Sequence, residues 1–441
     1  VRISGKIAII MLLAPAMDLG AIPAPIVPHV KIAATDVKVA PAKPTKPKLP
    51  IHFDGNLRAY YFTREFGNSA LSQQTSFSLG GKLNFLTDAF WNGFRIGGTV
   101  YTAQSLGLNS DYYQRQDRTL PGSPITVLGQ SYGQYENPYV LMRIGNQVIT
   151  TPWENDADSR MIPATYQGLL LTVTPVRQLN LIGMRMISFK GRPADHFSKT
   201  NLYNPSNISL SNIPALGNKE DIGTLAFGAK YHQDNFRMKA WVYHFYNYAN
   251  LAYADFHYQW VTNSILKPLI AGQLGHEWNS GSEILNGLNH GSAHANILGA
   301  LVGVEIGKGK MTVGGNYLPS YKGAYLNGDV VSPYTAGYQS DPLYTTSMNA
   351  GLIEKSAGSA VKVELEYKLF NDSVFVSTSY ARYFTQPYLK DSDETDIDVT
   401  YTPPGLFKHL SIRERLGILN GNQRFGHYIY NRVMLEYDFL G

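Results

Sequence analysis

The stretch Phe53-Asp54-Gly55-Asn56-Leu57-Arg58-Ala59-Tyr60-Tyr61-Phe62 decides the fold. Read with a period of two, Phe53, Gly55, Leu57, Ala59 and Tyr61 fall on one face. Asp54, Asn56, Arg58, Tyr60 and Phe62 fall on the other, the pattern of a strand between two unlike surroundings. The same alternation runs through 77–85, 94–102, 140–145, 182–189, 236–245, 361–369 and 433–439. The connections are of two kinds. Short ones fall at Gly145-Asn146, Asp234-Asn235, Gly307 to Lys310, Asn371-Asp372 and Pro403-Pro404-Gly405; long polar ones fall at 106–130, 191–220, 275–295 and 319–355. Strands laid between them from 52 to 440 number about eighteen, at about 22 residues each with their loops, the dimension of a bacterial transmembrane barrel. The predicted fold class is therefore all-β, a transmembrane antiparallel β-barrel of about 18 strands over 51–441, with both chain ends at the short-turn end.

Composition agrees. The 441 residues include 30 Tyr, 19 Phe and 41 Gly, suited to strands, turns and amphipathic interfaces, and no Cys, which excludes a disulfide scaffold and thiolate metal sites. No run of about 18 apolar residues reads as a membrane-spanning helix. The net charge of +5 sits entirely in 1–50, which holds seven basic residues against two acidic ones; 51–441 carries 31 of each. A nucleic-acid partner is thereby excluded, since its cations would have to lie on the folded domain. Arg2 and Lys6, then apolar residues 7–13 and Ala14-Pro15-Ala16, read as an export signal. A cut after Ala21 is equally defensible and gives a signal peptide over 1–21. Residues 22–50 interleave Pro41, Pro44, Pro47 and Pro50 with Lys43, Lys46 and Lys48, an extended, solvated linker that cannot form a core.

In the last strand Val433, Leu435, Tyr437 and Phe439 alternate with Arg432, Met434, Glu436 and Asp438. A closing strand with a near-terminal aromatic resembles the assembly signal of outer-membrane barrels and implies the barrel-assembly machinery as a partner. Leu440 and Gly441 follow Phe439, so the terminal-Phe form of that signal is not met.

Several segments in order resemble one family, the OprD-type outer-membrane porins, over most of 51–441. They are Gly55-Asn56-Leu57-Arg58-Ala59-Tyr60-Tyr61-Phe62, Leu79-Gly80-Gly81-Lys82-Leu83, Gly98-Thr99-Val100-Tyr101-Thr102-Ala103, Arg143-Ile144-Gly145-Asn146-Gln147, Thr151-Pro152 and Asp158-Ser159-Arg160-Met161-Ile162-Pro163. The last looks like the family's constriction-loop segment. The resemblance implies a monomeric or homotrimeric eighteen-stranded channel in the bacterial outer membrane, surrounded by its lipid. Such channels pass small solutes bearing a carboxylate, among them basic amino acids, peptides and aromatic acids.

Residue physics points the same way. A barrel of this size leaves an aqueous lumen. Strand parity assigns Arg58, Lys82, Arg95, Arg143, Arg185 and Arg432 to the face opposite the apolar residues. An arginine at the lipid midplane would cost about 2–4 kcal/mol, so these cations are expected to line the water-filled side as a basic wall that favours carboxylates. Arg413 and Arg415 share a face with Glu414 opposite, while Glu364, Glu366 and Glu436 could neutralise lumen arginines. The segment 152–163 carries Glu154, Asp156 and Asp158 beside Arg160; folded into the lumen, its acids would oppose the basic wall and create a transverse field. There is no G-x-S-x-G, H-E-x-x-H, Walker loop or G-x-G-x-x-G, so neither an enzyme nor a cofactor is expected. His290 and His294, with His276 and Glu277 nearby, read as an exposed loop rather than a metal centre. The expectation is a passive, partly selective porin. The alternative is a structural or adhesion barrel acting through its outer loops and its Pro/Lys segment.

Overall fold

A computed structural model describes residues 50–203, 221–281, 291–353 and 355–440. The export signal and nearly all of the Pro/Lys-rich linker lie outside these residues. The strands in chain order are β1 Ile51–Phe66, β2 Gln74–Thr87, β3 Phe94–Gln104, β4 Ile125–Glu136, β5 Val140–Gln147, β6 Thr165–Val176, β7 Leu179–Lys190, β8 Thr224–Gln233 and β9 Phe236–Phe245. They continue with β10 Ala249–Gln259, β11 Leu266–Asn279, β12 His294–Ile306, β13 Gly309–Leu318, β14 Gly358–Leu369, β15 Val374–Phe384, β16 Ser392–Tyr401, β17 Leu410–Asn422 and β18 Gly426–Leu440. Each pairs antiparallel with its neighbours, and β1 pairs with β18, with Arg58 opposite Glu436, to close the sheet. Closure leaves no strand edge, the condition for a sheet to cross hydrocarbon.

Eight connections at one end are tight or short, including 234–235 and 307–308, while 105–124 and 148–164 lie at the other, where the strands flanking 191–223 and 319–357 also end. The Gly145-Asn146 turn expected from sequence is not one. Both residues lie inside β5, where Gly145 has φ +131° and faces Tyr132 and Gly168 across its two neighbours. A Cβ there would lie 2.3 Å from the Ser131 carbonyl oxygen. Glycine here permits a close backbone approach and does not mark a reversal.

Burial is inverted relative to a water-soluble protein. Leu57, Phe227, Leu274 and Val302 are more than half exposed and form the lipid-facing surface. The buried cluster lies inside the barrel, because 148–164 and 319–357 bring apolar side chains inward: Trp153, Met161 and Ile162 from the first, Tyr325, Val330 and Tyr334 from the second. They pack on Met184, Met186, Tyr243 and Phe245. Each such side chain removed from water contributes about 1.5–3 kcal/mol.

That internal core corrects one expected lumen residue. In β7 the apolar Ile182, Met184 and Met186 point inward onto the folded-in segments, so Arg185 points outward between Leu169 and Leu225. It lies at the long-connection end, donates to the carbonyl oxygens of Met186 and Thr224, and sits over the Tyr246 ring at 4.6 Å. It belongs to the outer rim, not the basic wall.

The closed hydrogen-bond circuit predicts resistance to detergent denaturation. Purified protein should run faster on a detergent gel unheated than boiled, whereas replacing Gly145 with Val should abolish or weaken the fast-migrating form. Identical migration of both states of the natural chain would contradict a closed barrel.

Candidate functional site

Arg58 is 5% exposed and does not present its charge to open water. Its Nη1 and Nη2 donate to the two carboxylate oxygens of Asp158 at 2.7 and 2.9 Å, and Nη1 also reaches the Arg160 carbonyl oxygen at 2.8 Å. Its Nε lies 3.3 Å from Glu436 of the closing strand. A planar guanidinium is suited to this forked grip. Arg58 therefore ties the 148–164 segment to the β1–β18 seam. The expected role of Arg58 as a free wall cation, and of Asp158 as an opposing free acid, is corrected to mutual neutralisation.

Glu154 is corrected as well. It is fully buried, with the Thr224 hydroxyl as its one neighbouring side-chain donor among the described residues. Burial pushes its pKa up to about 8. It lies beneath the segment, where the Thr151 Oγ1 hydroxyl and the Thr151 backbone amide both donate to the Glu154 carbonyl oxygen and close a tight turn, so its side chain does not face solute. Asp156 is half-buried, with burial and then Asp158 raising its pKa. Lys82, Arg95 and Arg143 point inward. Arg95, Gln134 and Arg143 form one row across β3, β4 and β5, and Arg143 donates to Gln134 at 2.7 and 2.9 Å over the Tyr132 ring. They line the barrel wall apart from the cavity described next.

A cavity of about 530 Å³ lies between 157–160, 337–353 and the inner faces of β1 and β14–β18. Its cations are Arg64, Arg160, Arg415, Arg432, Lys355 and Lys362; its carboxylates are Asp158, Asp341, Glu364, Asp396 and Asp398. Most are paired. Arg64 contacts the buried Asp117 at 3.1 Å, and Arg413 and Arg415 share Asp398. Burial opposes ionisation of Asp117, but Arg64 and Arg160 outweigh it and hold the carboxyl below its ordinary range. Glu394 and Asp396 accept from Asn349 and Met348, docking the inward tip of 319–357. Asn155 donates to the Ser340 carbonyl oxygen at 2.8 Å, joining the two inward segments.

Arg160 and Arg432 are different. Both are at most 5% exposed, and among the described residues neither has a carboxylate within ion-pair distance, although Arg160 acts on Asp117 from farther off. Both lie over the same two rings: Arg160 at 5.4 Å from Phe62 and 5.7 Å from Tyr430, Arg432 at 5.7 and 4.1 Å. Behind them is Arg192, over Tyr338 at 3.5 Å and 3.2 Å from the Ser159 hydroxyl. Burial and then Arg160 depress its pKa to about 10, a mark of like-charge crowding.

Of these groups, Arg64 continues the parity of Arg58, Tyr60 and Phe62 by one further step. Glu394, Asp396 and Asp398 repeat at period two beside Arg413 and Arg415, so both sets were readable in the strands. Arg192, Asp341 and Lys355 lie on connections, where no period exists. Among the described residues no group of three or more acidic or imidazole side chains could hold a metal.

A closed 18-stranded antiparallel barrel with folded-in connections has the architecture of a bacterial outer-membrane porin. The family model described as outer membrane porin, OprD family, matches residues 139–316, a span that includes the segments Arg143 to Gln147, Thr151-Pro152 and Asp158 to Pro163. Among solved structures, OccK9 (OpdG) of Pseudomonas aeruginosa is 16% identical, covers 89% of this chain and 98% of its own, with a TM-score of 0.74. A BenF-like porin from Pseudomonas fluorescens Pf-5 is 15% identical, covers 89% and 99%, with a TM-score of 0.72. OpdK of Pseudomonas aeruginosa, solved with vanillate, is 14% identical, covers 89% and 99%, with a TM-score of 0.69. At such identities the likeness is one of fold. No curated protein matches the sequence.

Two outcomes follow from the loop anchors. Arg58→Gln leaves Asp158 and Glu436 without their cation, at a cost of about 3 kcal/mol to loop seating; single-channel recordings should show larger, noisier conductance with the barrel still folded. Glu154 has its pKa raised above the ordinary 4.5. The stabilisation this represents is complete below that value and is lost as pH rises through about 8. The thermal transition to the slow-migrating form should therefore fall between about pH 5 and about pH 9 in the natural protein. In Glu154→Gln this contribution should vanish, flattening that dependence.

Proposed function

We propose that this chain is a non-enzymatic porin giving passive, partly selective passage to small solutes that carry a carboxylate. The observation behind this reading is the pair Arg160 and Arg432, two cavity-lining guanidinium groups with no carboxylate at ion-pair distance among the described residues. A buried cation without a counter-ion is held at an electrostatic cost that an entering carboxylate relieves. The acids across the cavity, Asp341, Asp396 and Asp398, keep that relief partial, so a solute can leave as well as enter. Arg95 and Arg143, with Lys82 on the neighbouring wall, extend the positive lining along the inner face of β2–β5. The structure of OpdK with vanillate supplies a parallel in an aromatic carboxylate.

Export through the signal at 1–21, insertion by the barrel-assembly machinery and a monomeric or homotrimeric state in outer-membrane lipid complete the reading. The alternation of Val433, Leu435, Tyr437 and Phe439 along β18 supports assembly of this kind.

The test is the reversal potential under a salt gradient, with carboxylate uptake into proteoliposomes. Arg432→Gln alone should shift ion preference toward cations modestly; Arg160→Gln with Arg432→Gln should shift it strongly and reduce carboxylate uptake about tenfold, the equivalent of about 1.4 kcal/mol. Unchanged selectivity in the folded double variant would refute the carboxylate reading.

A further inference from the structure

The local charge count at the constriction carries a sharper statement about the solute, one that rests on the channel reading above. Arg58 faces two carboxylates, Asp158 and Glu436, which leaves one negative charge in excess. Arg413 and Arg415 share Asp398, which leaves one positive charge in excess. These two imbalances cancel, and Arg64 with Asp117 is already neutral. What remains around the Phe62 and Tyr430 rings is Arg160 and Arg432, with Arg192 directly behind Arg160 and adding to the field.

The two guanidinium groups approach the same pair of rings, so their separation cannot exceed their distances of 5.7 and 4.1 Å from the Tyr430 centroid laid end to end. Arg432 makes no hydrogen bond among the described residues, and its Nε is buried without a partner, as is that of Arg160. One monocarboxylate can neutralise only one of the two cations. A small dicarboxylate can present a carboxylate to each. Two separate planar forks suit two planar anions joined by a short link better than one compact ion carrying both charges.

We propose that this constriction is built for small dicarboxylates, held at one end by Arg160 and at the other by Arg432, in preference to monocarboxylates of similar size. The Asp341 carboxylate, also on the cavity lining, accepts from the Thr346 hydroxyl and the Leu343 amide and has no ion-pair cation among the described residues. It repels the bound dianion and so limits how long the dianion stays.

The experiment uses the full barrel in planar bilayers carrying chloride current, at a pH where both carboxyls of succinate are ionised. Succinate, butyrate and sulfate are added in turn as blockers. Succinate should reduce the current at a concentration about tenfold lower than butyrate, with sulfate intermediate. In Arg432→Gln, verified as folded by its fast migration, the succinate advantage should fall to within about twofold of butyrate. Arg432→Lys, which restores the charge without the fork, should recover only part of it. Equal block by succinate and butyrate in the natural protein would overturn the dicarboxylate assignment while leaving the porin reading intact. Sulfate matching succinate would overturn the two-point geometry. No anion preference at all would remove both readings. The natural protein alone decides among these results, so a variant that fails to fold does not leave the question open.

Discussion

Everything in this molecule follows from a backbone that must satisfy its own hydrogen bonds in hydrocarbon. A strand in lipid has no water to complete its amide and carbonyl groups, and only a sheet that returns to its first strand leaves none unpaired. The pairing of β1 with β18 supplies that return. Once the circuit is closed, each strand has a lipid side and a lumen side, and the alternation of residues is no longer a matter of core and surface. The wide interior would be a plain water pipe without further structure. It is instead narrowed by connections that fold back into it, and these need a second, internal set of contacts to stay there.

Those contacts are of two kinds. Apolar side chains such as Trp153, Met161 and Tyr334 form a small core against the inner wall, as in a soluble protein. Ionic and hydrogen-bonded ties then fix position: Arg58 to Asp158, Asn155 to Ser340, Asn349 to Glu394. Among the described residues the polar ties leave Arg160 and Arg432 without a carboxylate at ion-pair distance, and the location of unmatched charge is decided by how the others are consumed.

The strands were legible because period two is a local property that survives in any register. The count of eighteen and the alternation in Phe53 to Phe62 both came from it. Gly145 was misread because a glycine needed for close strand approach looks the same as one needed for a turn. Arg185 was misread for a deeper reason. The inference that apolar means lipid-facing holds only where the lumen is wet, and in β7 the lumen is filled by the inward segments, so Met184 and Met186 turned toward an apolar interior. The role of Arg58 as an anchor, and the sealed position of Glu154, depend on contacts about 100 residues apart or on burial within a loop. No period encodes either. The position of Arg432 was readable from parity, but its lack of a partner required every other pair to be known.

The separation of wall from filling has a historical meaning. On the lipid side a strand asks only for some apolar side chain at every second position, so Leu57, Val302 or Leu274 can be exchanged for many others without loss. Substitutions can therefore accumulate in the wall while the backbone trace is kept, consistent with a TM-score of 0.74 at 16% identity. The inward segments begin and end on the same rigid rim, so lengthening or replacing one leaves the barrel standing. What the interior admits can thus be altered by editing a few loops, with no need to invent a new scaffold.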